Sequence, residues 1–135
     1  LLRRLQQQLA GRGRKLTLTG RCDPAARERW LNRARIAVCP LRMPHDFAGM
    51  RVLLGMACGA LVVGEQCDGT AAFRAGEHFA MAPADQLADR IAYYLDHEEE
   101  RRSLARRGHR FVTEALTLAD AVGKMLAADT SRAPA

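Results

Sequence analysis

The sequence predicts an α/β fold in which a parallel sheet of about four strands lies between layers of helices. Two short apolar runs, 35–41 and 60–65, have the β-branched composition of strands covered on both faces. Segments with helical spacing of apolar residues lie before, between and after these runs. Strands that alternate with helices pair in parallel through crossover connections, so this order favours an α/β/α architecture.

A chain of 135 residues is the size of one ordinary domain. We therefore expect a single α/β domain over 1–128 and a flexible tail over 129–135. The sequence opens on Leu1, without a methionine and inside a helical pattern. We accordingly expect the chain to be part of a longer protein.

The first two predicted elements are a helix and a strand. Residues 1–10 place leucines on one side at helical spacing, and the glycine-rich stretch 11–13 ends the pattern. The alternation and threonines of KLTLTG, 15–20, predict a short strand.

A second helix is predicted over 23–34. It begins with Asp23 as N-cap and Pro24 at the first helical position, which is a favoured start. Trp30 and Leu31 are expected to face the core.

The remaining elements continue the alternation. A helix is predicted over 49–58, and Gly59 is placed to end it in the left-handed conformation. The residues HFAMA form a weaker predicted strand, after a loop with one helical turn around Ala71–Arg74. Amphipathic spacing then predicts three C-terminal helices, over 83–97, about 98–116 and about 118–128.

Composition excludes several classes of protein. Apolar residues make up 48% and charged residues 27%, as in globular domains, and no apolar run reaches the ~18 to 20 residues of a transmembrane helix. The four cysteines form no CxxC pair, so we expect no metal site and a reducing, cytoplasmic setting.

The net charge of +6 is compatible with phosphates, nucleic acid or an anionic membrane surface. The concentrated basic stretch, 101–110, follows acidic residues 98–100, so a solvated helix face with Glu–Arg pairs explains it. Aromatic residues are only 5% of the chain, too few to interleave a basic surface for base stacking, so we expect no nucleic-acid partner. Peripheral contact with an anionic membrane surface stays open.

The strongest candidate site is the loop 40–49 running into the helix at 49–58. A glycine at a helix start lets backbone N–H groups approach a phosphate, and the helix dipole favours its charge. Gly49 would be the point of closest approach, and Arg51 could hold a diphosphate with its forked guanidinium. The alternative is that Gly49 only makes a turn and Arg51 is exposed to solvent.

Four further residues lie where a parallel sheet binds ligands, at or beyond the carboxyl ends of predicted strands. His45 and Asp46 are in the loop after the second strand, and Glu65 and Thr70 follow the third. An exposed loop histidine and a turn at CDG explain these residues equally well.

Three stretches carry a family resemblance: RIAVCPLR, GMRVLLGMACGALVVGE and FRAGEHFAMAPADQLADRIAYYLDHEEERRSLARRGHRFV. Together they resemble the C-terminal half of a GT-B glycosyltransferase, in the "glycosyl transferases group 1" set, over residues 35–116. The resemblance implies a Rossmann-like half-domain that binds a nucleotide-sugar donor without a metal or other cofactor. It also implies a separate N-terminal acceptor domain as partner, and a donor half that is truncated here.

By this resemblance Gly49 and Arg51 stabilise the departing diphosphate of the donor. With Met50, Glu65 and Thr70 they are the expected donor contacts, and His45 and Asp46 are weak catalytic candidates. Many family members carry two glutamates with seven residues between them, and the corresponding positions here are Asp46 and Leu54. A carboxylate at the second position would accept two hydrogen bonds from the ribose diol. Because Leu54 cannot do so, the alternative function is a degenerate, non-catalytic domain kept for interaction or structural support.

Overall fold

The computed structural model describes residues 1–43, 47–70, 72–117, 119 and 123. The elements follow in the order α1 (Leu2–Ala10), α2 (Pro24–Arg33), β1 (Ile36–Cys39), α3 (Gly49–Ala57), β2 (Leu61–Glu65), β3 (Ala80–Ala82), α4 (Leu87–Asp96) and α5 (Glu98–Arg110). A π-helical segment, Phe111–Ala115, continues directly from α5.

The strands form a parallel sheet in the order β1-β2-β3. Ile36 pairs with Leu61, and Val63 pairs with Ala80. This confirms the predicted α/β class with a Rossmann-like layered arrangement. The described residues supply three strands, against the expected four.

The prediction of a strand over 15–20 is wrong, because this segment has no regular secondary structure. The carbonyl of Leu16 accepts a hydrogen bond from the Gln6 side chain at 2.9 Å, so a helix side chain takes the place of a strand partner. Leu16 packs partly against the core, whereas Leu18 is 42% exposed. The alternating pattern therefore buries too little to hold the segment against the sheet.

The sheet is covered on both faces. Leu61 and Val63 of β2 point to a core shared with α1, α4 and α5. Val62 points to the other side, into a core with α3 and the aromatic residues around Phe79. Because successive strand residues point to opposite faces, this split explains why β2 is a continuous apolar run.

The helix over 23–34 forms as predicted, and the Asp23 carboxylate accepts from the Ala26 N–H at 2.8 Å. The placement of Trp30 in the core is wrong, since this side chain is 49% exposed. Leu31 is half-buried and packs against the α3 side of the core. Consecutive helix residues point about 100° apart, so only one of the two can face the sheet.

The C-terminal helices differ from prediction mainly at their ends. Residues 83–86 form a turn, with the Gln86 N–H donating to the Pro83 carbonyl at 2.9 Å, so α4 begins four residues later than expected. The predicted helix over 98–116 is α5 plus the π-helical segment. Most of 118–128 and all of the tail 129–135 lie outside the described residues, although Ala119 and Gly123 are helical.

Two helical glycines set how closely helices approach their neighbours. A Cβ on Gly55 would lie 2.7 Å from Val62 Cγ2, and a Cβ on Gly108 would lie 2.3 Å from the His78 carbonyl oxygen. Both helices therefore pack at distances that only glycine permits. Gly59 has φ of +77° and ends α3 in the left-handed region, as predicted.

Among the described residues, no helix combines the length and the hydrophobicity that a membrane crossing requires.

Candidate functional site

The carboxyl ends of the strands meet at one edge of the sheet, and α3 begins at that edge. β1 ends at Cys39, β2 at Glu65 and β3 at Ala82, and Gly49 is the first residue of α3. In open parallel sheets, ligands bind outside this edge. We call it the carboxyl edge.

The first turn of α3 holds three of the predicted donor contacts. The Gly49 N–H donates to the Phe47 carbonyl at 2.8 Å, and the Arg51 N–H donates to the Ala48 carbonyl at 2.9 Å. These short-range bonds satisfy two N–H groups of a helix start, so an anion binding here would have to replace them. Met50 lies between them with its side chain 69% exposed.

Arg51 brings positive charge to the end of β1. Burial raises the pKa of the Cys39 thiol to about 11, and the Arg51 guanidinium opposes this rise by favouring the thiolate. That opposition requires Arg51 to lie near Cys39, which is the last residue of β1. The helix start and Arg51 thus bring positive charge to this part of the carboxyl edge.

Glu65 joins the ends of two strands. Its Oε2 accepts a hydrogen bond from the Leu41 N–H at 3.0 Å, and the side chain is half-buried. The carboxylate at the end of β2 thus fixes the first residues after β1. In this structure it holds Leu41, at the start of the connection to α3.

Thr70 closes a turn in the connection from β2 to β3. Its hydroxyl donates to the Phe73 carbonyl at 2.7 Å, and the Phe73 N–H donates to the Thr70 carbonyl at 3.1 Å. The predicted helical turn around Ala71–Arg74 corresponds to this turn, although Ala71 itself lies outside the described residues.

His45 and Asp46, the weak catalytic candidates, also lie outside the described residues. Leu54 is described and is half-buried in the middle of α3. Its carbonyl accepts from the Cys58 N–H at 3.1 Å, an ordinary bond of the helix end. An apolar side chain therefore stands where the family resemblance places the ribose carboxylate.

An aromatic cluster, which the sequence did not reveal, lies under the start of α3. Phe47 has ring centroids 5.6 Å from Phe73 and 6.0 Å from Phe79, and Phe73 lies 5.6 Å from Phe111 in an edge-to-face arrangement. The Phe47 ring is also 3.6 Å from the position of a Gly49 Cβ. These four phenylalanines connect the α3 start, the β2–β3 connection and the π-helical segment.

His78 completes this cluster, and its surroundings disfavour the charged form of its ring. Its ring stacks on Phe111 at 3.9 Å, and its Nδ1 accepts from the Arg74 N–H at 3.1 Å. Burial lowers the pKa of His78, with Arg74 and Arg107 lowering it further against the opposing effect of Glu77. His78 therefore shapes the turn before β3.

The described residues contain no group of three His, Cys, Asp or Glu side chains placed to hold a metal ion. What the carboxyl edge offers chemically is a helix start, one arginine and a carboxylate that orders the adjacent loop. Such a set suits binding of a phosphate-containing ligand.

The comparisons with known proteins agree with this geometry. The profile of the family described as glycosyl transferase-like matches residues 1–127. Neither the curated proteins nor the solved structures include a significant match to the chain. A family match over nearly the whole length assigns the chain, which therefore belongs to this glycosyl transferase-like family.

Proposed function

We propose that this chain is the donor-binding half of a GT-B glycosyltransferase and binds a nucleotide-sugar at the carboxyl edge. The sugar would pass to an acceptor held by an N-terminal domain, in a cleft between the two. The expected donor contacts are Gly49, Met50, Arg51, Glu65 and Thr70. Transfer needs no cofactor in this proposal, because the leaving diphosphate would be stabilised by the α3 start and Arg51.

The proposal rests on the position of α3, together with the membership of the chain in a glycosyl transferase-like family. Its glycine start and Arg51 lie at the carboxyl edge of a parallel sheet, where nucleotides bind in this architecture. The Glu65 bond to the Leu41 N–H supports it further, because it holds Leu41 in place at the start of the connection to α3. A residue that is already held in place loses less entropy when a ligand binds beside it.

The test is a calorimetric titration of the chain with UDP-, GDP- and ADP-sugars. Binding of one donor should weaken about tenfold or more in Arg51→Gln, since a charge-assisted hydrogen bond contributes about 1.5–3 kcal/mol. Arg33→Gln, at the last residue of α2, removes the same charge away from the carboxyl edge and should leave the affinity within about twofold. If no donor binds, or if both variants weaken it equally, the proposal fails.

Leu54 favours the second candidate function, a degenerate domain that lacks the ribose contact and serves interaction or support. Leu54→Glu tests it, with Leu54→Gln as the control that has the same shape without the charge. A large gain in nucleotide affinity in the glutamate variant alone would indicate a lost site. Because the position is half-buried, thermal unfolding of both variants must be measured in parallel to detect the cost of burying a carboxylate.

A further inference from the structure

A basic groove runs along the outer side of α5, away from the carboxyl edge. It has a volume of about 390 Å³, and its lining includes Gly59, Arg101, Arg102, Arg106, Arg110 and Glu114. Arg102, Arg106 and Arg110 follow one another at four-residue spacing and share the exposed side of the helix, whereas Arg101 lies on its buried side, at the wall of the groove. This volume lies at the lower end of the roughly 300–1,000 Å³ of small-molecule sites.

Arg101 is buried in the groove wall without adequate partners. The residue is only 7% exposed, and within the described part of the chain its Nε has no hydrogen-bond partner. Its Nη2 reaches Glu98 Oε1 only at 3.5 Å, the limit of a hydrogen bond. Because a buried charged donor without an acceptor is costly, this arginine lacks a group that an anion in the groove would supply.

The surrounding charges leave the groove positive. Glu98 is shared, because the same Oε1 that faces Arg101 also contacts Arg102. Arg106 and Arg110 have no acidic side chain within ion-pair distance among the residues that the structure describes. Glu114 lines the groove as well and offsets one of these positive charges.

Nearby Arg35 adds to the positive potential at Arg101. Burial lowers the pKa of Arg101, and Arg35 and Arg102 act in the same direction while Glu98 opposes them. Arg35 stands just before β1, and Gly59 lies at the corresponding end of β2. The groove therefore meets the sheet at the amino ends of the strands, opposite the candidate donor site.

We propose that this groove binds a phosphate-bearing anion through Arg101, Arg102, Arg106 and Arg110. Guanidinium groups present forked donors that match phosphate oxygens, and a phosphate in the groove would supply an acceptor to Arg101, whose present partner Glu98 is shared with Arg102. The phosphate can come from a free ion or from the headgroup of an anionic lipid. This site is separate from the donor site, so either can fail without the other.

The experiment titrates the ¹⁵N-labelled full chain with inorganic phosphate at constant ionic strength and follows the backbone amides by NMR. Saturable shifts should centre on α5 and Gly59, whereas binding at the carboxyl edge would shift Gly49 and its neighbours. Arg106→Gln/Arg110→Gln should weaken the groove binding at least about tenfold. Arg3→Gln/Arg4→Gln removes the same charge from exposed positions of α1 and should change it less than twofold.

A second arm measures co-sedimentation with phosphatidylcholine vesicles, with and without phosphatidic acid. Binding that requires phosphatidic acid and is lost in Arg106→Gln/Arg110→Gln supports a lipid headgroup as the source. Saturable binding of phosphate alone supports a free ion. The proposal is overturned if phosphate binds more weakly than about 10 mM and the vesicles do not bind, or if both double variants weaken binding equally.

Discussion

Gly108→Ala tests the close approach of α5 to the turn before β3. The new Cβ would lie 2.3 Å from the His78 carbonyl oxygen and 3.3 Å from Met56 Cγ. To restore a 3.0 Å separation, the helix or the turn must move by about 0.7 Å. The obstacle is backbone that Arg107 holds through a 3.0 Å bond from its Nε to the Glu77 carbonyl, so a rotamer change cannot relieve the contact.

Overpacking of this kind costs about 1–3 kcal/mol, and replacing glycine by alanine in a helix returns up to about 1 kcal/mol. Because a fixed backbone atom must be displaced, we expect the overpacking cost of Gly108→Ala to lie near the upper end of this range. The free energy of unfolding should then fall by about 2 kcal/mol in total. The melting temperature should fall by roughly 5–10 °C. Urea and thermal unfolding followed by far-ultraviolet circular dichroism measure both quantities.

Gly11→Ala is the matched control. Gly11 has φ of −60° and ψ of −17°, and its nearest non-adjacent atom lies 3.6 Å from the Cβ position, so alanine fits without strain. This variant should be as stable as the original chain or about 0.5 kcal/mol more stable. A Gly108→Ala chain that unfolds at the original temperature or above it would refute the reasoning about helix approach.

Three further predictions concern the candidate site. Glu65→Ala should lower the free energy of unfolding by about 1 kcal/mol in urea titrations, because it leaves the Leu41 N–H without its acceptor, whereas Glu65→Gln keeps an oxygen there and should lose less. Burial lowers the pKa of His78, so the stability that its neutral ring contributes is present above the ordinary value of 6.5 and is lost as the pH falls from there through the lowered pKa of the native state. His78→Asn should therefore reduce the loss of stability below pH 6.5. An unchanged slope would contradict this. Cys39, with a pKa of about 11 and 5% exposure, should react with iodoacetamide at pH 8 at least ~100-fold more slowly in the native chain than in urea, and equal rates would show that β1 opens readily.

The fold was predictable where the pattern and the packing agree. The apolar run of β2 is buried on both faces, and the Asp23–Pro24 start of α2 forms its cap as expected. The pattern of 15–20 has strand alternation too, but pairing is a long-range event, and no local signal shows that Gln6 takes the Leu16 carbonyl. Local alternation therefore overestimates strands at the margin of a sheet.

The candidate site was predictable in its backbone and less so in its side chains. Gly49, which follows a predicted strand and loop, indicated where α3 starts. Such a signal can be found in the sequence because it depends only on residues that are neighbours in the chain. The bond from the Leu41 N–H to Glu65 spans 24 residues, which no local signal reveals.

Arg101 occupies an inward position of α5, in one stripe with Leu104 and Gly108, although its charge favours solvent. The charge spacing predicted that the arginines of α5 are exposed to solvent. This prediction is correct for Arg102 and Arg106 and wrong for Arg101.

The aromatic cluster has a consequence for how the domain opens. Phe47, Phe73, Phe79 and Phe111 come from three separate parts of the chain, yet each ring rests on another. Loss of one ring contact exposes the others, so these parts should unfold as one cooperative unit. Amide hydrogens near the α3 start, the β2–β3 connection and the end of α5 should then exchange with a common opening free energy, which links the first turn of α3 to a helix far along the sequence.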